Sequence, residues 1–175
     1  VRNLCQEVQA GLKKYFNLPA EYEVIIGNGG ATFLFDMIGL GLVKKSSLHY
    51  VMGEFSNKWY DSHKNIPWLE VSQQAVNFGA GLEIEPSDDV DMICCTLNET
   101  STGVQIADLP VVSKDVLLAV DATSGAGQIK VDFNKVDLYF FSPQKVFASE
   151  GGFYVAIMSP KALARAKSLY DRSEY

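Results

Sequence analysis

The chain is poor in the residues that build disulfides, metal centres and basic faces. Its three cysteines, Cys5, Cys94 and Cys95, supply neither a disulfide framework nor the ligand spacing of a metal site. The adjacent pair lies in an apolar run and is expected in the core, with a reducing compartment as the simplest fit. Only two histidines occur. His49 and His63 stand isolated in the sequence, and packing or solvation is expected of them rather than catalysis. No metal is expected. The balance of 15 basic against 21 acidic residues gives a formal charge of −6, which argues against nucleic acid or an anionic membrane as partner. No apolar run approaches the roughly 20 residues that cross a bilayer, and no signal peptide is visible, so a cytoplasmic protein is expected. Internal repeats and low-complexity tracts are absent too. An initiating methionine is also lacking, and both ends run straight into helical patterns. A piece of a longer protein is therefore expected.

What the chain does have is the size and pattern of one α/β domain. With 175 residues, 47% apolar and 21% charged, it has enough to bury a sizeable core. Leu4, Val8, Leu12 and Phe16 recur at helical spacing among Gln6, Glu7, Lys13 and Lys14, which predicts an amphipathic helix stopped near Pro19. Residues 22–26 predict a short strand running into Gly27-Asn28-Gly29-Gly30, followed by an apolar helix from Ala31 to about Val43. Further strands are predicted over 47–52, 90–96, 116–120, 138–141 and 153–157, and a helix over 57–63. A last helix opens at Ser159-Pro160, with serine as N-cap and proline in the first turn. Residues 69–71 and 75–78 are too short to assign, and 79–89 reads as a polar, acidic connection. Apolar strands alternating with helices and long connections predict an α/β fold, a mostly parallel central sheet with helices on both faces.

In such sheets ligands sit beyond the carboxyl ends of the strands. The informative polar residues fall at those ends, over 27–32, 53–55, 98–103, 121–125 and 144–145. Lys145 lies in a polar loop between two apolar runs. Partial desolvation there makes a lysine amine nucleophilic, as a Schiff-base lysine requires; the alternative is a solvated loop lysine. The 27–30 turn ahead of a helix offers bare N–H groups and the positive end of the macrodipole to an anion. It reads equally as an ordinary connecting turn, because its spacing is neither GxGxxG nor a Walker loop and no lysine follows it. Asp121 ends an apolar strand, where a carboxylate is costly unless it meets a cation such as a protonated pyridine nitrogen; the alternative is a turn or helix-cap aspartate. Together the five loops hold the parts for pyridoxal 5′-phosphate.

Five motifs carry a resemblance to a known family. Ile26-Gly27-Asn28-Gly29-Gly30-Ala31-Thr32, Gly53-Glu54-Phe55-Ser56, Asn98-Glu99-Thr100-Ser101-Thr102-Gly103, Val120-Asp121-Ala122-Thr123-Ser124-Gly125-Ala126-Gly127 and Ser142-Pro143-Gln144-Lys145 with its continuation to Gly152 jointly resemble the phosphoserine aminotransferases. These are class V, fold type I pyridoxal-phosphate enzymes, and the form is similar to that of actinobacteria and some other bacteria. The resemblance runs over essentially all 175 residues in the family's order. It implies that Lys145 is the Schiff-base lysine and proton shuttle and that Asp121 is the partner of the pyridinium nitrogen. It further implies that Phe55 stacks on the ring and that Thr100 lies near the phenolic oxygen. The backbone amides of Ala31 and Thr32 would hold the phosphate with Gln144 beside them, and Ser124 would assist near the ring or phosphate.

The implied reaction is transfer of an amino group between glutamate and 3-phosphohydroxypyruvate, giving phosphoserine and 2-oxoglutarate in serine biosynthesis, by a homodimer. The alternatives are a catalytically incompetent cofactor-binding or dimerising fragment, or another class V aminotransferase. Thr32 departs from the enteric form, where an arginine follows the glycine turn. The family's N-terminal segment, its small C-terminal domain and the partner's Asn-Thr pair have no counterpart in these residues. The chain is accordingly expected to be the large cofactor-binding domain, 1–175, with Arg2, Arg165 and Arg172 as its only arginines.

Overall fold

The computed structural model describes residues 2–170. In chain order the elements are α1 (Arg2–Tyr15), β1 (Glu23–Asn28), α2 (Ala31–Gly41), β2 (Ser46–Val51), α3 (Glu54–Lys64), β3 (Glu70–Ala75), β4 (Met92–Thr96), the short pair β5 (Asn98–Glu99) and β6 (Val104–Gln105), β7 (Leu117–Asp121), β8 (Leu138–Phe141), β9 (Phe153–Met158) and α4 (Pro160–Tyr170). Seven strands form one sheet in the order β1-β9-β8-β7-β4-β2-β3. β9 pairs antiparallel with both of its neighbours, and the remaining pairings are parallel, so β9 alone runs against the other six.

The buried strands follow from composition. Met92–Thr96, Leu117–Asp121 and Leu138–Phe141 are apolar almost throughout and buried at every position, as central strands covered on both faces must be. On one face α2, α3 and α4 enclose Leu34, Phe35, Ile38, Trp59, Leu138 and Phe140. On the other, Tyr139, Phe141, Val120 and Leu118 pack beneath the end of α1 and the long connections. The strand left unassigned over 69–78 is β3, an edge strand whose residues are nearly all exposed. With no buried face, it carries no alternation to read.

Three sequence expectations change. The opening helix is present, but Leu4 and Val8 are 63% and 42% exposed and only Leu12 and Phe16 reach the core, because α1 meets the sheet only toward its C-terminal end. The helix predicted over 57–63 starts at Glu54, held there by a side chain described below. His49 and His63, isolated in sequence, are neighbours in the core. His49 Nε2 lies 3.1 Å from His63 Nδ1, and Cys94 completes a buried group whose donor atoms are within 4.8 Å of one another. His63 Nε2 lies 3.0 Å from the Trp59 indole nitrogen and 3.2 Å from the Phe35 carbonyl oxygen. Burial pulls His63 down to about 4 and holds His49 well below the usual range, with the His63 charge adding to the effect on His49.

At the amino ends of the strands, Arg165 of α4 ties three loops together. Its guanidinium donates to the carbonyls of Leu42, Asp91 and Asp115 and pairs with Asp91 Oδ1 at 3.0 Å. Asp91 in turn accepts from the backbone N–H groups of Lys44, Lys45 and Ser46. Ser159 Oγ caps α4 by accepting from Ala162 N at 3.1 Å, as its position before Pro160 predicts. Arg172 lies outside the described residues. No helix among the described residues is long and apolar enough to cross a membrane.

Candidate functional site

The carboxyl ends of β1, β2, β4, β7 and β8 converge on a cavity of about 200 Å³. Its walls include Ala31, Thr32, Phe55, Asp121, Ser124, Gln144 and Lys145, together with Phe35, Thr96, Asn98, Thr123 and Ser142. A larger cleft of about 570 Å³ opens between the end of α1 and residues 127–134. It receives none of the motif-bearing strand ends except Gly127, so the smaller cavity is where the chemistry gathers.

In the turn after β1, Gly29 has φ +99°, a left-handed conformation that favours glycine; within β1, a side chain at Gly27 would displace the end of the Tyr154 ring. The chain thereby reaches α2 with its first N–H groups facing the cavity side. Three of these are already engaged: Ala31 N donates to Ser142 Oγ at 2.8 Å, and the N–H groups of Phe33 and Leu34 donate to the Gly30 carbonyl. The Ser142 hydroxyl thus accepts from the helix and retains its own proton for another acceptor.

Phe55 stands on the first turn of α3, half-exposed at 41%, with the Lys58 ammonium 5.6 Å from its ring centroid. Glu99, fully buried, holds that turn. Its carboxylate accepts from the backbone N–H groups of Phe55 (3.3 Å) and Ser56 (2.9 Å) and from the hydroxyls of Ser56 (2.8 Å) and Ser101 (2.7 Å). Ser101 Oγ also accepts from Glu54 N, and Thr102 Oγ1 donates to the Met52 carbonyl. The Gly53 and Asn98 motifs are therefore one interlocked unit. A side chain at Gly53 would strike Glu99 Cγ at 2.5 Å. Burial alone would raise the Glu99 carboxyl, but the bonds from Ser101, Ser56 and Phe55 outweigh it and hold the group below its ordinary range. Thr100, between Glu99 and Ser101, is exposed in the turn and is not part of the cavity wall.

Asp121 closes the floor. It is 3% exposed, and its Oδ1 accepts both bonds from Thr123, from N at 2.9 Å and Oγ1 at 2.5 Å, while Oδ2 has no partner among the described residues. Burial pushes its carboxyl up to about 6, the Thr123 bonds oppose the shift and the Glu99 charge adds to it. Gln144 and Lys145 are exposed at the rim, and the Lys145 ammonium makes no hydrogen bond or ion pair with the described residues. The expected desolvation of Lys145 is not supplied by these residues, because the loop turns its apolar side chain, Phe147, onto Phe141 at 5.1 Å and leaves the amine outside.

This donor set fits a flat cofactor carrying an anion at one end and a cationic nitrogen at the other. A helix N-terminus and the Ser142 hydroxyl serve the anion, a buried carboxylate with an unpaired oxygen serves the cation, and an aromatic side chain and a free amine flank the space between.

The aminotransferase class-V family model matches residues 2–173. The chain belongs to the class-V aminotransferase family. Phosphoserine aminotransferase of Rhodococcus opacus is 43% identical over 178 residues, covering 100% of this chain and 48% of that protein. The crystal structure of a phosphoserine aminotransferase from Cytophaga hutchinsonii superposes with a TM-score of 0.83 at 34% identity, covering 93% of this chain and 46% of that one. A PLP-bound phosphoserine aminotransferase from Trichomonas vaginalis shares the fold, with a TM-score of 0.79 at 24% identity, over 91% of this chain and 47% of that one. The chain thus spans about half the length of the relatives it matches.

Of the residues expected from the sequence, Ala31, Thr32, Phe55, Asp121, Ser124, Gln144 and Lys145 of this class-V family member line the cavity and Thr100 does not, while Thr96, Ser142 and Glu99 had not been singled out. Ser142 and Glu99 stood inside quoted motifs. Thr96 offered a weaker signal, a hydroxyl closing an otherwise apolar strand.

Proposed function

We propose that residues 1–175 are the large, cofactor-binding domain of a phosphoserine aminotransferase, a cytoplasmic homodimer that moves an amino group between glutamate and 3-phosphohydroxypyruvate, forming phosphoserine and 2-oxoglutarate in serine biosynthesis. The observation that carries this reading is the buried Asp121 carboxylate, with one oxygen unpaired, at the floor of a cavity whose rim holds a free lysine amine. The 43% identity with the Rhodococcus enzyme supports the substrate assignment.

Pyridoxal 5′-phosphate bound there supplies the electron sink that lets the substrate's Cα lose its proton. The chain's residues do the rest. Asp121 fixes the ring nitrogen in its protonated form, which keeps the sink effective. Lys145 would supply the amine that holds the cofactor, and its free base would serve as the group that moves a proton at the substrate's Cα. Phe55 covers one ring face and excludes water from it. The Thr32 N–H at the start of α2, with the Ser142 hydroxyl and Gln144, would hold the phosphate.

The homodimer is supported by α2, which exposes Phe33, Met37 and Leu40 on its outer face, with Asp36 the one charged residue among them. The absence of turnover by this domain alone is supported by Arg165, which is committed to Asp91 at the far end of the sheet. No arginine of the described residues lines the cavity, so nothing there meets a substrate carboxylate bidentately. The test is titration with pyridoxal phosphate followed by an assay with glutamate and 3-phosphohydroxypyruvate. Saturable binding that Asp121→Asn and Lys145→Ala each weaken is expected, with no steady turnover. Steady turnover by the 175-residue chain, or binding indifferent to both substitutions, would contradict the proposal.

A further inference from the structure

Thr96 carries one of two side-chain polar atoms that are buried without a hydrogen-bond partner among the described residues, the other being the Tyr139 hydroxyl. Such groups are rare and call for a reason. Thr96 is 3% exposed and ends β4, where the preceding residues Met92, Ile93, Cys94 and Cys95 are apolar and fully buried. Valine would fill the same volume without a stranded hydroxyl. In the β4–β7 ladder Thr96 is the register partner of Asp121, so the two side chains leave adjacent parallel strands on the same face, and both line the cavity. Yet Thr96 Oγ1 does not bond to Asp121, whose Oδ1 is taken by Thr123. Two polar groups therefore stand side by side at the deep end of the cavity, each with capacity unspent.

We infer that the Thr96 hydroxyl is a cofactor-contacting group whose oxygen accepts a hydrogen bond from the protonated ring nitrogen that pairs with Asp121, sharing that N–H with the carboxylate. The inference rests on the assignment of pyridoxal phosphate to this cavity. Asp121 supplies the charge that selects a cationic nitrogen, and Thr96 adds a directional contact that fixes how the ring lies over it. Leaving such a hydroxyl unpaired destabilises the free chain, and the cost is recovered when the ligand binds.

Tyr139 provides the internal control. It also buries an unpaired hydroxyl, but it packs among Phe16, Phe133 and Phe141 on the opposite face of the sheet. Pyridoxal phosphate is titrated into the 175-residue chain and into Thr96→Val, Thr96→Ser and Tyr139→Phe, with the melting temperature of each recorded without ligand. Thr96→Val is expected to bind about tenfold more weakly while melting at the same temperature or higher, the signature of a lost ligand hydrogen bond. Thr96→Ser, which keeps the hydroxyl, is expected within about threefold of the unsubstituted chain, and Tyr139→Phe is expected unchanged in affinity. Affinity of Thr96→Val within about twofold of the unsubstituted chain, or an equal loss in Tyr139→Phe, would overturn the inference while leaving the cofactor assignment intact. Failure of the unsubstituted chain itself to bind pyridoxal phosphate would overturn both.

Discussion

Glu99 and Ser56, 43 residues apart in sequence, are joined twice: Glu99 Oε2 accepts from the Ser56 backbone N–H at 2.9 Å and from its hydroxyl at 2.8 Å. A fully buried carboxylate is thereby seated on the positive end of α3, and the turn that carries Phe55 is fixed against the turn that follows β4. The Glu99 motif residue thus builds the site without facing the ligand.

Removing that carboxylate strands several donors in the interior. Glu99→Ala is expected to lower unfolding free energy by roughly 2–4 kcal/mol in urea titration, with Glu99→Gln losing less because an acceptor remains. Amide exchange at Phe55 and Ser56 should rise in parallel with the loss. A change under about 0.5 kcal/mol would mean that α3 starts at Glu54 without this cap.

Asp121 has the opposite sign. Its carboxyl stands at about 6 in the folded chain against 3.8 ordinarily. The folded state therefore binds the extra proton between those values, and stability is lost as pH rises through that window. The ionised form costs roughly 3 kcal/mol at neutral pH. Asp121→Asn should accordingly stabilise the ligand-free chain near pH 7, by an amount that shrinks toward pH 4, while weakening pyridoxal phosphate binding. Equal stability of the two proteins at pH 7 would contradict the burial argument.

The buried histidines pull the other way. His63 is held at about 4, so the unfolded chain takes up its proton first as pH falls below the ordinary 6.5. Stability is complete above 6.5 and declines by roughly 3 kcal/mol as pH falls through 4. In the Asp121→Asn background, where the opposing carboxyl is silent, urea titrations between pH 7 and 4.5 should show this decline clearly. A flat profile there would mean that the His49–His63 pair is not neutral in the core.

At the other end of the sheet, Arg165→Ala removes a buried guanidinium and leaves the partly buried Asp91 without its cation. The loss is expected to be roughly 3–5 kcal/mol in urea titration. Where the protein remains folded, its affinity for pyridoxal phosphate should be unaltered, because Arg165 touches only the amino-terminal side. A selective loss of affinity without loss of stability would place Arg165 in the site instead.

Much of this was legible in the sequence because the central strands are continuous apolar runs and the site residues stand immediately after them. Asp121 following Leu117–Val120 and the glycines following β1 are readable from one stretch each. What stayed hidden depends on contacts between stretches far apart. Glu99 has no readable role until its bonds to Ser56 are seen, and His49 and His63 read as unrelated until α3 is laid on β2. The exposure of Lys145 was hidden for another reason: whether a loop between two buried strands covers its own lysine depends on the path of that loop, and the residues flanking the amine do not set it.

Lys145, among all the lysines of the chain, is the one proposed to be committed to the cofactor. The chain is mixed with pyridoxal phosphate, reduced with borohydride and digested, and the pyridoxyl-bearing peptide is identified by mass spectrometry. The account expects a single dominant adduct on Lys145, lost in Lys145→Ala and reduced in Asp121→Asn. A dominant adduct on any other lysine, or an adduct that persists at full yield in Lys145→Ala, would contradict it.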